Sequence, residues 1–245
     1  MEMTGNTILI TGGGSGIGKG LAEALHALGN QVIIAGRRAD ALQQVAAANP
    51  GMAIATLDVG DAADIARFAA SVVETHPALN AILHNAGIMR AETLVDGTYL
   101  DDAEATIATN LLGPIRLNAA LLPHLLKQPR AAVMTVSSGL AFVPLTMTPT
   151  YSATKAAIHS YSQSLRHQLR ETNVDVIEIA PPAVATTLMP GQDQDPRSMP
   201  LADYIREAVE LLGKGEKEVL VERVKFLRFA EARGDYDAVF AAING

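Results

Sequence analysis

TILITGGGSGIGKG, residues 7–20, is the stretch that decides the fold. Its first five residues are apolar or β-branched, TGGGSGIG (11–18) follows, and Ile17, Leu21, Ala24, Leu25 and Leu28 then recur at helical spacing as far as Gly29. A strand feeding a helix through a glycine turn is the opening half of a βαβ unit, and Gly29 suits the helix C-cap. The backbone N–H groups of such a turn and the positive end of the helix converge on one point, which can hold a pyrophosphate. Six glycines among the nine residues 12–20 exceed what a tight turn needs, since each one weakens the local backbone.

The same alternation continues outward from this stretch. QVIIAG (31–36), MAIATL (52–57), AILH (81–84), AAVMTVS (131–137), VDVIEIA (174–180) and EVLV (218–221) are short apolar runs separated by longer helical stretches. Most are continuous runs rather than apolar/polar alternations, as expected of strands covered by helices on both faces. The expected fold class is α/β, a Rossmann-type doubly wound parallel sheet with helices on both faces, in a single domain over residues 1–245. Polar TTLMPGQDQDPRSMP (186–200) interrupts the pattern and predicts a mobile lid around 186–214, while residues 222–245 form an amphipathic tail beyond the last strand.

Composition excludes several functions. With 19 basic against 26 acidic residues the formal charge is -7, so no positive field is available for a nucleic-acid backbone. The absence of cysteine rules out disulfides, thiolate metal sites and a cysteine nucleophile. Histidines 26, 76, 84, 124, 159 and 167 show no metal-ligand spacing, so no catalytic metal is expected. Without a charged leader or an apolar run of ~18 residues, a soluble cytoplasmic protein with no membrane contact is the expectation.

Two readings come from the residues directly. The second strand ends in Gly36-Arg37-Arg38, where an NAD-specific site would place a carboxylate on the adenosine 2'-hydroxyl. A missing acid removes repulsion from a 2'-phosphate, and a guanidinium offers that group a planar fork, so NADP(H) is favoured over NAD(H), with Arg37 ahead of Arg38. In TNLLGP (109–114), Pro114 has no N–H and displaces the carbonyl of Asn110, leaving it free to hold water or merely breaking the helix.

TGGGSGIG is not G-x-G-x-x-G; with Gly12, Gly16 and Gly18 it is TG-x3-G-x-G, and this resembles the short-chain dehydrogenase/reductase family. The likeness extends to HNAG (84–87), TNLLGP, the serine pair at 137–138, YSATK (151–155) and APPAVATT (180–187). SSGLAF, PTYSATKAAIHS and APP are particularly similar to the DltE-like oxidoreductases of bacteria. The resemblance implies cofactor contacts from Gly12, Gly14, Ser15, Gly16, Ile17 and Gly18, and from Asn85, Ala86 and Gly87 along the adenosine ribose. It also implies Asp58 and Val59 at the adenine, though Asp58 could equally cap the helix starting near Asp61. Pro181, Val184 and Thr186 would orient the nicotinamide carboxamide. Two departures stand out: His84 replaces the first Asn of N-N-A-G, where a buried structural imidazole is expected, and Pro182 replaces a glycine.

The implied catalytic set is Asn110, Ser138, Tyr151 and Lys155, with Ser138 standing 13 residues before Tyr151. Carbonyl reduction needs a proton donor and hydrogen bonds to the developing alkoxide. An unperturbed phenol has a pKa of ~10, so lowering it by ~3 units requires ~4 kcal/mol, from the Lys155 ammonium and the nicotinamide charge. Lys155 would also hold the nicotinamide ribose, Ser138 the substrate oxygen, and Asn110 a water linking the lysine to solvent. The expected substrate is a small carbonyl or secondary alcohol; Leu140, Phe142, Leu145, Met147, Leu188, Met189 and Met199 either line an apolar pocket for it or, as such residues more often do, simply pack the core or an interface. Two alternatives stay open: a 3-oxoacyl thioester reductase and a non-catalytic NADP-binding regulator. By resemblance, helices near 102–127 and 152–171 would pair subunits into a homodimer or homotetramer.

Overall fold

The computed structural model describes residues 1–245. Seven strands, Thr7–Thr11 (β1), Gln31–Gly36 (β2), Ala53–Thr56 (β3), Leu79–His84 (β4), Ala131–Val136 (β5), Val174–Ile179 (β6) and Glu218–Val219 (β7), form one sheet in the order β3-β2-β1-β4-β5-β6-β7. All six neighbouring pairs are parallel, with Thr7 opposite both Gln31 and Leu79. Helices Gly16–Ala27 (α1), Ala39–Ala48 (α2), Ala62–Thr75 (α3), Leu100–Ile107 (α4), Gly113–Leu125 (α5), Pro149–Gln168 (α6) and Leu201–Gly213 (α7) cover it.

Alternate residues of a strand feed opposite cores, which is why its sequence is apolar without interruption. Ile8, Ile10 and Ile34 pack with Leu21 and Leu25 of α1 and Tyr204 of α7. Leu9, Ile33 and Ile82 pack with Phe68 of α3, Leu117 of α5 and Leu165 of α6. Each such side chain contributes about 1.5–3 kcal/mol by leaving water, so both faces are strongly specified. The strand order reverses between β1 and β4, and the diverging loops open a crevice at the carboxyl ends of these strands.

The expected lid of 186–214 is too long. Tyr204, Ala208 and Leu212 recur at helical spacing and are buried against α1 residues, so 201–213 is a core helix. Only the preceding loop lies over the crevice, and its two ends are tied: Met199 N–H donates to Ala183 O (2.8 Å) and Ala185 N–H to Met199 O (2.8 Å). β7 stops at Val219 rather than residue 221, because the chain turns at Glu222–Val224 into the tail.

The tail forms Lys225–Arg228 (α8), Ala230–Arg233 (α9) and Tyr236–Asn244 (α10). It wraps the segment between β5 and α6: Val143 shares a small core with Ala230 and Val239, closed by Leu227, Tyr236, Phe240 and Ile243. Gly139 allows this approach, since a Cβ there would lie 2.6 Å from Leu227 Cδ1. The Asn244 side chain accepts from Thr146 N–H (2.6 Å) and donates to Pro144 O (3.1 Å). No helix is long and apolar enough to cross a membrane.

Candidate active site

The glycine turn is seated on the end of β4. Gly12 has φ +69°, a left-handed conformation that favours glycine, and a Cβ on it would come 2.9 Å from Ala86 Cα. At Gly18 a Cβ would come 2.2 Å from Asn85 Nδ2. Asn85 Nδ2 donates to Thr11 O (3.0 Å) and Gly12 O (3.3 Å), while Thr11 Oγ1 accepts from the Asn85 and Ala86 N–H groups at 3.1 Å each. Asn85 and Ala86 therefore brace the turn from below. Ser15 makes no side-chain bond to α1, so the first N–H groups of that helix are left for another acceptor.

Arg37 and Arg38 are exposed where β2 ends. Arg38 Nη2 donates to Ser15 Oγ (3.1 Å), linking this corner to the glycine turn, and Arg37 forms no ion pair. Asp58 holds the loop after β3, accepting from Gly60 N–H (2.9 Å). The cap of α3 is Asp61, whose Oδ1 accepts from Ala63 N–H (2.8 Å) and Asp64 N–H (3.2 Å). Val59 follows, with its carbonyl so close to Gly113 that a Cβ there would lie 2.7 Å away.

Pro114 does alter its helix, as a widened turn rather than a break. Ala108–Leu112 is one π-helical turn between α4 and α5, in which Gly113 N–H bonds Ala108 O, five residues back. Asn110 is buried in that turn. Its Nδ2 donates to Ile88 O (2.9 Å) and Thr154 Oγ1 (3.3 Å), and its Oδ1 accepts from Ile88 N–H (2.9 Å). The Asn110 side chain thus engages the chain beyond Gly87 and helix α6, not Lys155.

Ser138 ends the stretch after β5 and accepts from Leu140 N–H through Oγ (3.1 Å). Tyr151 and Lys155 lie one turn apart on α6, and Lys155 Nζ is 5.5 Å from the centre of the Tyr151 ring. Burial pushes the Tyr151 phenol up to about 12, against the pull of the Ser138 hydroxyl. Burial likewise pushes the Lys155 ammonium down to about 8, while it donates to Val136 O (2.7 Å). The lowering expected from the Lys155 ammonium together with the nicotinamide charge would have to work against this burial. Burial disfavours the charged form of each group, phenolate at Tyr151 and ammonium at Lys155.

These parts share one cleft of about 1160 Å³. It is lined by Gly12, Gly14, Ser15, Gly16, Ile17 and Gly18, by Arg37, Arg38, Asp58 and Val59, and by Asn85, Ala86 and Gly87. Ser138, Tyr151, Lys155, Pro181, Val184 and Thr186 line it too. Of the expected residues only Asn110 does not; it stands behind the wall. Pro181 O accepts from Gly139 N–H (2.8 Å), which ties the loop after β6 to the serine turn despite Pro182.

His84 is buried beneath the cleft, with Nε2 2.7 Å from Asn118 Oδ1. Burial pushes it down to about 4, partly offset by that hydrogen bond. Between pH 6.5 and about 4 the unfolded chain takes up a proton that the folded chain refuses, so stability falls on acidification. Urea unfolding at pH 7 and pH 4.5 is expected to show His84→Asn losing about 2–3 kcal/mol less than the parent over that interval. Equal losses in the two proteins would show that His84 is not the source.

Sequence reasoning missed two residues beside the site. Glu92 Oε2 accepts from Thr150 N–H (3.3 Å) and Thr150 Oγ1–H (2.7 Å), and Asn244 clasps the loop that leads to α6. Both act over more than fifty residues of chain, and neither sits in a motif. The His159, Glu178 and Glu218 donors approach within 4.8 Å of one another, but they are already engaged. His159 Nδ1 lies 2.8 Å from Glu178 and its Nε2 faces Gln163 Nε2 (3.1 Å), while Arg228 holds Glu218 (2.5 Å).

The doubly wound parallel sheet, with its glycine turn at the switch point and one deep cleft along the strand ends, defines a Rossmann-type α/β protein. The sequence profile of the short chain dehydrogenase family matches residues 6–197. The uncharacterized oxidoreductase DltE of Bacillus subtilis (strain 168) is 42% identical over 251 residues, covering 100% of this chain and 98% of that protein. An uncharacterized oxidoreductase of Staphylococcus aureus (strain N315) is 31% identical, over 84% of this chain and 90% of its own. In fold, the chain resembles a short chain dehydrogenase from Burkholderia cenocepacia J2315 in complex with NADP, with TM-score 0.85 and 24% identity over 99% of both chains. It also resembles a short chain dehydrogenase/reductase from Burkholderia phymatum in complex with NAD, with TM-score 0.83 and 20% identity over 97% of this chain and 96% of that one. The chain belongs to the short-chain dehydrogenase family of oxidoreductases.

Proposed function

We propose that this protein moves a hydride between NADP(H) and a carbonyl or secondary alcohol, with Tyr151 as general acid or base. The observation that carries this is the sharing of one cleft by Ser138, Tyr151 and Lys155, the glycine turn, and Arg37 with Arg38. The cleft residues fit a dinucleotide. Side chains at Gly12 and Gly18 would collide with the β4 end, and α1 begins with N–H groups its own cap does not use, so pyrophosphate oxygens suit this corner. Arg37 and Arg38 would hold a 2'-phosphate, Asp58 and Val59 the adenine, and Asn85, Ala86 and Gly87 the adenosine ribose side. Lys155 would hold the nicotinamide ribose, with Pro181, Val184 and Thr186 at the carboxamide.

When bound, the nicotinamide supplies the hydride and, in its oxidised form, a positive charge. Ser138 Oγ donates to the substrate oxygen, and the Tyr151 hydroxyl delivers a proton as that oxygen becomes an alkoxide. Held up to about 12, the phenol stays protonated at neutral pH and is ready as an acid. Work as a base near pH 7 would need on the order of 7 kcal/mol of added positive potential, more than the ~4 kcal/mol required for an exposed phenol. Because the Asn110 side chain is committed to Ile88 and Thr154, a proton path through this residue would use its main-chain carbonyl, which Pro114 leaves without an i+4 partner. A cytoplasmic homodimer or homotetramer completes the proposal, on family resemblance.

The test is a panel of aldehydes, ketones and 3-oxoacyl thioesters, followed by NADPH absorbance. Turnover on the order of 1 s⁻¹ or faster is expected with at least one simple carbonyl. Tight NADPH binding with no turnover across the panel would favour a non-catalytic regulator, and turnover confined to thioesters would select the narrower reductase.

A further inference from the structure

Helix α6, which carries Tyr151 and Lys155, begins without a cap of its own. Thr148 makes no side-chain bond to the first turn, and Pro149 at the next position has no N–H. The missing acceptor comes from across the fold. Glu92 Oε2 takes the Thr150 N–H (3.3 Å) and the Thr150 hydroxyl (2.7 Å), while Glu92 N–H donates to Met147 O (3.0 Å). A carboxylate at the positive end of a helix is favourable beyond the bonds themselves.

The other end of this short segment is also fastened. Asn110 bonds both the N–H and the C=O of Ile88 and reaches Thr154 on α6, whose Oγ1–H donates to Tyr151 O (2.7 Å). Asn110, Ile88, Glu92, Thr150, Tyr151 and Thr154 therefore close a ring around the first turn of the helix. Glu92 is not in the cleft wall, so it acts on the site indirectly, through that turn and through the segment whose Ile88, Met89 and Arg90 line the cleft.

We propose that Glu92 is a positioning residue, a long-range N-cap that fixes the first turn of α6 and with it the Tyr151 phenol relative to Ser138. It rests on the reductase reading only for its kinetic consequence. The test compares Glu92→Ala and Glu92→Gln in the full chain by amide hydrogen exchange, NADPH binding and turnover. Losing the cap in Glu92→Ala is expected to speed exchange at the Thr150 amide, the one Glu92 holds, roughly fivefold to tenfold, leaving the later turns of α6 protected. The kcat falls on the order of tenfold, with NADPH affinity within about twofold of the parent. Glu92→Gln keeps an acceptor oxygen and restores most of both losses, which general unfolding would not allow. Parent-like exchange at the Thr150 amide in Glu92→Ala would overturn the proposal, as would equal loss of protection along all of α6 in both variants. Exchange is measured whether or not a carbonyl is reduced, so failure of the reductase reading and failure of the cap are told apart.

Discussion

Tyr151→Phe is expected to lower kcat roughly 10²- to 10⁴-fold while leaving the NADPH dissociation constant within about threefold of the parent. The substitution removes one buried oxygen and keeps the ring that packs at the start of α6. Without that hydroxyl no group in the assigned set delivers a proton to the new alkoxide at close range. The Ser138 hydroxyl can still donate a hydrogen bond, but an alcohol is too weak an acid to take over from a phenol, and Lys155 Nζ is turned to Val136 O. The pH profile adds a sign. Reduction needs phenol, so its rate declines toward high pH as the phenol ionises, whereas oxidation needs phenolate and rises over the same range. Steady-state kinetics and cofactor fluorescence titration read the two halves of the prediction. A Tyr151→Phe protein with kcat within tenfold of the parent would sink the assignment of the acid.

Arg37→Asp is expected to cut the preference for NADPH over NADH about 100-fold, measured as the ratio of the two kcat/KM values. A charge-assisted bond to phosphate accounts for about 1.5–3 kcal/mol of this, and like-charge repulsion from the introduced carboxylate adds to it. Arg37 has no competing acidic partner, so its guanidinium is available; Arg38, tied to Ser15, holds the corner together and contributes less. Because both arginines are exposed, the parent's NADPH affinity weakens as salt is raised, and the variant's weakens less. An unchanged preference in Arg37→Asp would place the selection elsewhere in the cleft.

Much of this was legible because it is local. Continuous apolar runs, a glycine turn between the first two elements and helical spacing after it report the pleat and the turn directly, and the strands formed within a few residues of those limits. Pro114 announced an irregular helix at Asn110, because a missing N–H is a property of one residue. The polar composition of 186–200 masks the amphipathic period that starts at Leu201, which is why the expected lid of 186–214 runs past the loop into a core helix. A buried structural imidazole at His84 is legible from its place at the end of an apolar strand, but its partner Asn118 lies 34 residues away and carries no spacing signal.

What the sequence by itself determined is the fold class, the order of elements, and a set of chemically suited residues at the ends of particular strands and on one helix. Tertiary structure alone decided that those residues share a cleft, that the tail covers the chain between Ser138 and Tyr151, and that Glu92 and Asn244 pin the approach to α6. It alone also set the direction of each titration, burial raising Tyr151 and lowering Lys155. The reason is one of range. Periodicity and turn chemistry act between residues a few positions apart, whereas dielectric environment and long-range hydrogen bonds exist only once distant segments have packed and water has left.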